Sequence, residues 1–293
     1  MVAKRLDGKL CAESIEQALI VRIEALHGSK IRPHLAVIIV GDDPASHVYV
    51  NSKIAACNRL GIQSTHVKLD ASVTEKKLIE HIQQLNNDPG VHGILLQSPL
   101  PPHMDEEGIT DLIDPTKDVD GFHPQNLGRL VQGRLDGMIP CTPHGVLKLL
   151  EWADIELSGQ SAVIICRSRI VGMPLSLLLA SKGIDATVTI THSRTREIKE
   201  QCQRADLIIA AVGIPEMVES DWVKPGAVVV DVGINRVEDA NRERGWRLAG
   251  DVSPTVEEIA SWLSPVPGGV GPMTIAMLME NTVRAAELIQ SKA

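Results

Sequence analysis

Apolar runs and segments of helical period alternate along almost the whole of this 293-residue chain. IEQALIVRIEAL (15–26) predicts a helix, and LAVIIVG (35–41) has the unbroken apolar run of a buried strand. ASHVYVNSKIAACNRLG (45–61) predicts a helix closed by Gly61. A short strand over 62–67, a helix around 76–85 and the strand VHGILLQ (91–97) continue the rhythm. PLPP and two Asp-rich turns interrupt it. IPCTPHG (139–145) then opens a further helix, with Thr142 as its N-cap and Pro143 at the first helical position.

A second series starts with strand SAVIIC (161–166) and helix VGMPLSLLLASKG (171–183). Strands ATVTIT (186–191), DLIIAAVG (206–213) and AVVVDVG (227–233) follow, with helix-compatible segments between the first of them. Strands separated by helical crossovers imply a parallel, doubly wound sheet. A Gly/Pro loop precedes the last helix, over 273–289. The pattern is that of two α/β domains with a boundary near 138–148, free of repeats and low-complexity segments.

Apolar residues make up 44% of the chain and aromatics only 2%, so Val, Ile, Leu and Ala must fill the core. Such residues suit parallel strands flanked by helices. A net charge of −8 argues against a nucleic-acid groove or an anionic membrane surface as partner. Five scattered cysteines without a C-x-x-C suit reduced thiols in a cytoplasm, and neither they nor the ten histidines form a metal motif.

The segment CRSRIVGMP (166–174) joins a strand to an apolar helix, where small residues let backbone N–H groups approach a pyrophosphate. It lacks G-x-G-x-x-G, and by itself reads first as an ordinary strand–helix connection. The next strand ends in THSRTR (191–196). NAD-binding domains usually place an acid there for the ribose hydroxyl; Ser193, Arg194 and Arg196 stand here instead, with Arg167 in the first turn. Cations and a hydroxyl at that corner suit a 2′-phosphate, hence NADP over NAD.

On the helix 45–61, Val50, Ile54 and Cys57 define a buried stripe. Tyr49 and Lys53 lie at its edge, with Cβ atoms ~5–6 Å apart. A lysine at such an edge can be partly desolvated, which favours proton transfer at neutral pH, although Lys53 can equally snorkel while Tyr49 packs. Gln97 ends a buried strand, so its amide should emerge at the carboxyl edge of the sheet, where ligands of open α/β sheets bind. DVDG (118–121) puts two carboxylates beside a glycine turn, and PVPGGVGPMT (265–274) is a rigid loop whose backbone suits a planar ligand.

Taken in order, VGDDPASHVYVNSK, GILLQSPLPPHM, DPTKDVDGFHPQNLGRL, PCTPHG, RSRIVGMP, THSRT, ADLIIAAVG, DVGINR, GDV and PVPGGVGPMT run nearly end to end. With them the chain resembles the bifunctional methylenetetrahydrofolate dehydrogenase/methenyltetrahydrofolate cyclohydrolase family. The resemblance implies NADP-dependent oxidation of 5,10-methylenetetrahydrofolate, then hydrolysis to 10-formyltetrahydrofolate without a metal. It also implies a homodimer whose folate lies in a cleft between a catalytic domain (1–140 plus 265–293) and a Rossmann-like NADP domain (141–264). Lys53 matches the catalytic lysine, Tyr49 a folate-stacking residue, Gln97 the partner that tunes the lysine, and Asp120 the pterin anchor. Pro267, Gly268 and Gly269 add to the folate surface. Arg167, Ser168 and Ser193 match the NADP-phosphate positions, and Thr142, Cys166, Ile170, Gly213 and Ile234 lie in segments expected to line the cofactor.

Two positions depart from the family pattern. Cys166 replaces the glycine usual before R-S, which would crowd the phosphate turn, and Ser98 stands where an apolar residue is usual. Other readings are a shikimate-dehydrogenase-like NADP oxidoreductase and a non-catalytic folate- or nucleotide-binding relative. A short-chain dehydrogenase also uses Y-x-x-x-K, but downstream of its cofactor turn rather than most of a domain before it.

Overall fold

The structure is a computed structural model and describes residues 2–242 and 244–290. The chain forms β1 (Lys4–Arg5), α1 (Gly8–Gly28), β2 (His34–Val40), α2 (Pro44–Leu60), β3 (Gln63–Leu69), α3 (Glu75–Asn87) and β4 (Gly93–Leu96). Two short helices follow, α4 (Glu106–Thr110) and α5 (Pro124–Val131), and then α6 (Cys141–Trp152). The second series is β5 (Ser161–Ile165), α7 (Gly172–Leu179), β6 (Thr187–Thr191), α8 (Ile198–Arg204), β7 (Leu207–Ala210) and β8 (Val228–Asp231). It closes with β9 (Asn235–Glu238), β10 (Trp246–Ala249), β11 (Trp262–Leu263) and α9 (Val270–Gln290). Among the described residues no helix is long and apolar enough to cross a membrane.

The chain divides into two compact units, one of residues 13–141 with the chain from 275, the other of residues 1–12 with 142–274. In the first, β3, β2 and β4 form a parallel sheet in that order. All seven residues of β2 are buried, which explains its unbroken apolar run. Ile38 and Val40 of β2, Ile94 and Leu96 of β4, and Leu78 and Ile82 of α3 share one core. Arg22 of α1 grips Glu287 with two parallel hydrogen bonds of 2.9 and 2.8 Å, and reaches Glu280 at 2.5 Å. This bidentate geometry fixes α9 against α1 within the unit.

The second unit holds a six-stranded, all-parallel sheet in the order β1–β11–β8–β7–β5–β6. From β5 the chain crosses to β6 on one side and then to β7 on the other, so the carboxyl ends of β5 and β7 flank a topological switch point. Val163, Ile165, Ile208, Ala210 and Val229 fill the core beneath it.

Several elements differ from expectation. The resemblance implies that residues 1–12 belong with the catalytic domain, whereas β1 pairs with β11 at the edge of the second unit's sheet. Residues 265–274 also group with that unit. The antiparallel hairpin β9–β10 and helix α5 are not among the elements expected from sequence; the hairpin strands are only four residues each and no residue but Ala249 is buried, and α5 is a two-turn helix. Helix α6 starts at Cys141, so Thr142 and Pro143 sit inside its first turn instead of at the N-cap and N1. Pro143 is tolerated there because first-turn N–H groups have no intrahelical acceptor.

One buried cation holds the loop that leads to the DVDG turn. Lys117 is buried and donates to the carbonyls of Leu85, Asn86 and Asp88 at 3.0, 2.8 and 2.7 Å, capping the C-terminal end of α3. Lys117→Met keeps the stem and removes the donor. Urea unfolding followed by circular dichroism should show a loss of about 1–3 kcal/mol; an unchanged midpoint would mean that water caps α3 equally well.

Candidate active site

Helix α2 is built to present its edge residues. Asp43 caps it by accepting the Ser46 N–H at 2.7 Å, Pro44 occupies its first turn, and Gly61 closes it in the left-handed conformation at φ 72°. Val50 and Cys57 are buried and Ile54 is half-buried, as the apolar stripe predicts. Lys53 is half-buried beside them, and Tyr49, one turn earlier, is 42% exposed. The Lys53 ammonium donates to Gln97 Oε1 at 2.9 Å. Gln97 Nε2 donates to the Ser98 carbonyl at 2.7 Å, so the two partners together set which end of the amide faces the lysine.

Ser98 also has a role of its own. Its hydroxyl donates to Glu106 at 2.6 Å, and the other Glu106 oxygen accepts the Leu100 N–H at 2.8 Å. The polar residue that departs from the family pattern is thereby satisfied, and it ties the loop after β4 to α4.

Asp120 is held on a turn braced from three sides. Asp118, buried, accepts the N–H groups of Gly121 and His123 and the Asn126 amide at 3.2, 2.8 and 2.9 Å. Asn281 of α9 donates to the Val119 and Ile139 carbonyls, both at 2.8 Å, and the Cys141 N–H donates to the Asp120 carbonyl at 3.3 Å. Gly121 has φ 78°, and a Cβ there would fall 2.6 Å from the backbone of Ile139 and Pro140, so no other residue fits. Burial pushes Asp120 up to about 6; the Lys53 charge pulls it back down and Asp118 pushes it further up. Burial, then Asp120, drives the Cys141 thiol well above its ordinary range, while Lys53 opposes them. Lys53, Gln97, Asp120 and Cys141 therefore share one neighbourhood, with Cys141 a protonated donor to the Val119 carbonyl at 3.2 Å.

The other expected site residues belong to the second unit. Cys166, Arg167, Ser168 and Ile170 follow β5, Ser193 follows β6, Gly213 follows β7 and Ile234 follows β8. They line the carboxyl ends of four strands. In the first of these turns the Ser168 carbonyl accepts the Met173 N–H at 3.0 Å, and its hydroxyl accepts the Val171 N–H at 3.1 Å. A Cβ on Gly172 would lie 2.2 Å from the Cys166 carbonyl oxygen, so glycine is required where α7 meets the turn. Cys166 is not at positive φ, and its thiol donates to the Ser168 hydroxyl at 3.3 Å. The sulfur takes part in the turn's own hydrogen bonding.

Arg167, Ser193 and Arg194 are exposed at this rim. Gly213 has φ 70° and no atom within 4 Å of where its Cβ would be, which leaves open space for close approach. Ile170 and Ile234 are 44% and 42% exposed. Met173 and Ile214, at 45% and 52% exposed, are further apolar residues at this rim that the sequence reading does not single out; the only signal is an apolar residue directly after a glycine. Thr142 shares a 2.9 Å hydrogen bond with Thr274, and Pro267, Gly268 and Gly269 precede α9. A Cβ on Gly8 would meet the Gly269 carbonyl oxygen at 1.7 Å, so that loop packs directly on the start of α1.

The raised Asp120 pKa has a consequence for stability. The native state keeps this proton while pH climbs from the ordinary 3.8 to about 6, where the unfolded chain has already lost it. Folding therefore loses stability across that window, and the penalty persists above it. Asp120→Asn cannot titrate, so at about neutral pH it should stabilise the fold by on the order of 1 kcal/mol after solvent screening, and raise the melting temperature with it. The gain should vanish toward pH ~4. Calorimetry across the window checks this; a gain independent of pH would exonerate the carboxylate.

Comparison with known proteins places this geometry. Residues 6–120 match the catalytic domain of the tetrahydrofolate dehydrogenase/cyclohydrolase family, and residues 140–290 match its NAD(P)-binding domain. The bifunctional protein FolD of Acetivibrio thermocellus is 50% identical over 289 residues, covering 98% of each chain. That of Dechloromonas aromatica is 49% identical over 288 residues, again covering 98% of each. Among solved structures, the Campylobacter jejuni FolD methylenetetrahydrofolate dehydrogenase/cyclohydrolase superposes with a TM-score of 0.93 at 46% identity, covering 98% of this chain and 99% of that one. The Trypanosoma brucei enzyme, complexed with NADP and an inhibitor, gives 0.94 at 35% identity over the whole of both chains. The shikimate-dehydrogenase-like alternative gives way to these matches: the chain belongs to the tetrahydrofolate dehydrogenase/cyclohydrolase family.

Proposed function

We propose that this chain oxidises 5,10-methylenetetrahydrofolate with NADP and hydrolyses the resulting 5,10-methenyltetrahydrofolate to 10-formyltetrahydrofolate. The observation that carries the reading is the Lys53–Gln97 hydrogen bond of 2.9 Å in a neighbourhood shared with Asp120. A non-catalytic relative would have no use for a lysine so aligned.

The proposed roles follow from chemistry. Tyr49, exposed one turn before Lys53, offers an aromatic face to the folate ring system. Asp120, with its pKa at about 6, is largely ionised at neutral pH and can accept the paired N–H groups of the pterin. Pro267, Gly268 and Gly269 offer backbone to the folate. Arg167, Ser168 and Ser193, with Arg194, would hold the 2′-phosphate of NADP; Thr142, Cys166, Ile170, Gly213 and Ile234 would line the rest. NADP supplies the hydride acceptor when bound, and the residues of the chain supply orientation and exclusion of water. In the hydrolysis, water adds to the methenyl carbon and releases one proton to solvent; the Lys53 ammonium then protonates N5 as the N5–C bond breaks, and the amine so formed takes the carbinol hydroxyl proton as the formyl C=O forms. Gln97 keeps the amine aimed. We further propose a homodimer in a reducing cytoplasm; the family resemblance and the five free cysteines support this.

Lys53→Met should separate the two chemistries, because hydrolysis needs a proton-transfer group and hydride transfer chiefly needs alignment. Methenyl-folate hydrolysis should fall roughly 10²–10⁴-fold, with part of the NADP reduction retained. Hydrolysis near the wild-type rate would remove Lys53 from the mechanism.

The basic strand-end corner should make kcat/KM higher for NADP than for NAD, and Arg167→Ala should cost NADP far more than NAD. Equal values for the two cofactors in the wild-type protein would refute the assignment of that corner.

A further inference from the structure

Behind the strand-end rim, two buried aspartates join the loops that follow β7, β8 and β10. Asp251, two residues past β10, has no exposed surface. One of its oxygens accepts the N–H groups of Val212 and Gly213 at 2.6 and 3.0 Å, and the other accepts the Asn235 amide at 2.9 Å. Asp231, at the end of β8, accepts the N–H groups of Gly233, Asp251 and Val252 at 3.0, 2.9 and 2.9 Å. All six donors are neutral amides. A Cβ on Gly233 would lie 2.3 Å from the Asp251 carboxyl, and one on Gly250 would lie 1.8 Å from that of Asp231. The glycines are there because the carboxylates fill the space.

A carboxylate without surface exposure is an expensive way to fill a core, since desolvation of the charge must be offset by the hydrogen bonds it accepts. What Asp251 receives is specific. Val212 and Gly213 immediately precede Ile214, 52% exposed, and Gly213 itself faces open space at φ 70°. Asn235 immediately follows Ile234, 42% exposed. One side chain thus fixes both segments that present an apolar face beyond the switch point, in the half of the sheet where a dinucleotide places its second nucleotide.

We propose that Asp251 is a positioning residue for the nicotinamide half of the cofactor: its carboxylate holds the Gly213 and Ile234 loops in register. The inference rests on the NADP reading above and assigns a role to a residue that touches neither substrate nor cofactor. Asp231 sets Asp251 in turn, through the Asp251 N–H. Burial holds Asp231 up to about 7, consistent with a carboxyl enclosed by backbone.

The test is a fluorescence titration with NADPH on the full-length protein, with both activities measured in parallel. Asp251→Ala leaves two N–H groups and one amide unpaired; if that loosens the two loops, NADPH affinity should fall about tenfold or more and KM for NADP should rise with it. Methenyl-folate hydrolysis, assayed without dinucleotide, should change by less than about twofold, since Lys53, Gln97 and Asp120 belong to the other unit. Asp251→Asn, which keeps the shape and an acceptor oxygen, should restore most of the affinity. Asn235→Ala removes a single donor and should weaken NADPH by a few-fold, which keeps the proposal testable if Asp251→Ala does not fold. Unchanged NADPH affinity in Asn235→Ala together with Asp251→Ala overturns the inference. So does a parallel fall of both activities and of melting temperature, the mark of a purely structural role. A wild-type protein that bound no NADPH would overturn the NADP reading itself.

Discussion

A parallel strand buried on both faces has no place for a working side chain along its length, so polar chemistry collects where the strand ends. All seven residues of β2 and all four of β4 and β7 are buried. Every candidate site residue on these sheets accordingly lies just beyond a carboxyl terminus: Gln97 after β4, Cys166–Ser168 after β5, Ser193 after β6, Gly213 after β7 and Ile234 after β8. Lys53 is the exception that shows the rule, since it comes from a helix and reaches the strand end through Gln97. The strand-end loops must therefore be rigid without belonging to a sheet ladder, and the remaining architecture serves that need.

Buried polar groups supply the rigidity, each in a different way. Lys117 remains a buried cation because three helix-terminal carbonyls surround it. Asp118 gathers neutral N–H donors from the turn that follows it, and Asp251 gathers them from loops distant in sequence. Asn281 uses a single amide to hold two carbonyls that flank Asp120. A group that accepts or donates several bonds fixes several backbone segments at once, and an apolar side chain of equal size fixes none of them in register. Asp120, like Asp118, is raised by burial, in its case to about 6, and it is the carboxyl the proposed mechanism needs for substrate. Its cost to folding and its proposed use belong together, as expected where a site is built at the expense of stability.

The helix edge shared by Tyr49 and Lys53, the stripe of Val50 and Cys57, and the placement of Gln97 at a strand end were legible from periodicity alone. So was the parallel, doubly wound second series, because the apolar runs alternate with helical segments. These are relations between residues a few positions apart, where backbone geometry fixes which side chains share a face. The ordered motifs, taken as a resemblance, carried the reading further than any single segment could.

What the tertiary structure decided is of longer range. Asn281 meets Val119 across 162 residues, and Asp251 meets Val212 across 39. Neither bond leaves a trace in local pattern. An asparagine on an apolar helix and an aspartate in a GDV turn look like surface or turn residues until the chain has closed around them. Strand β1 likewise gains its meaning only by pairing with β11, more than 250 residues later. Periodicity reports which way a side chain points from its own element; the partner waiting there is set by chain closure, and that is a property of the fold as a whole.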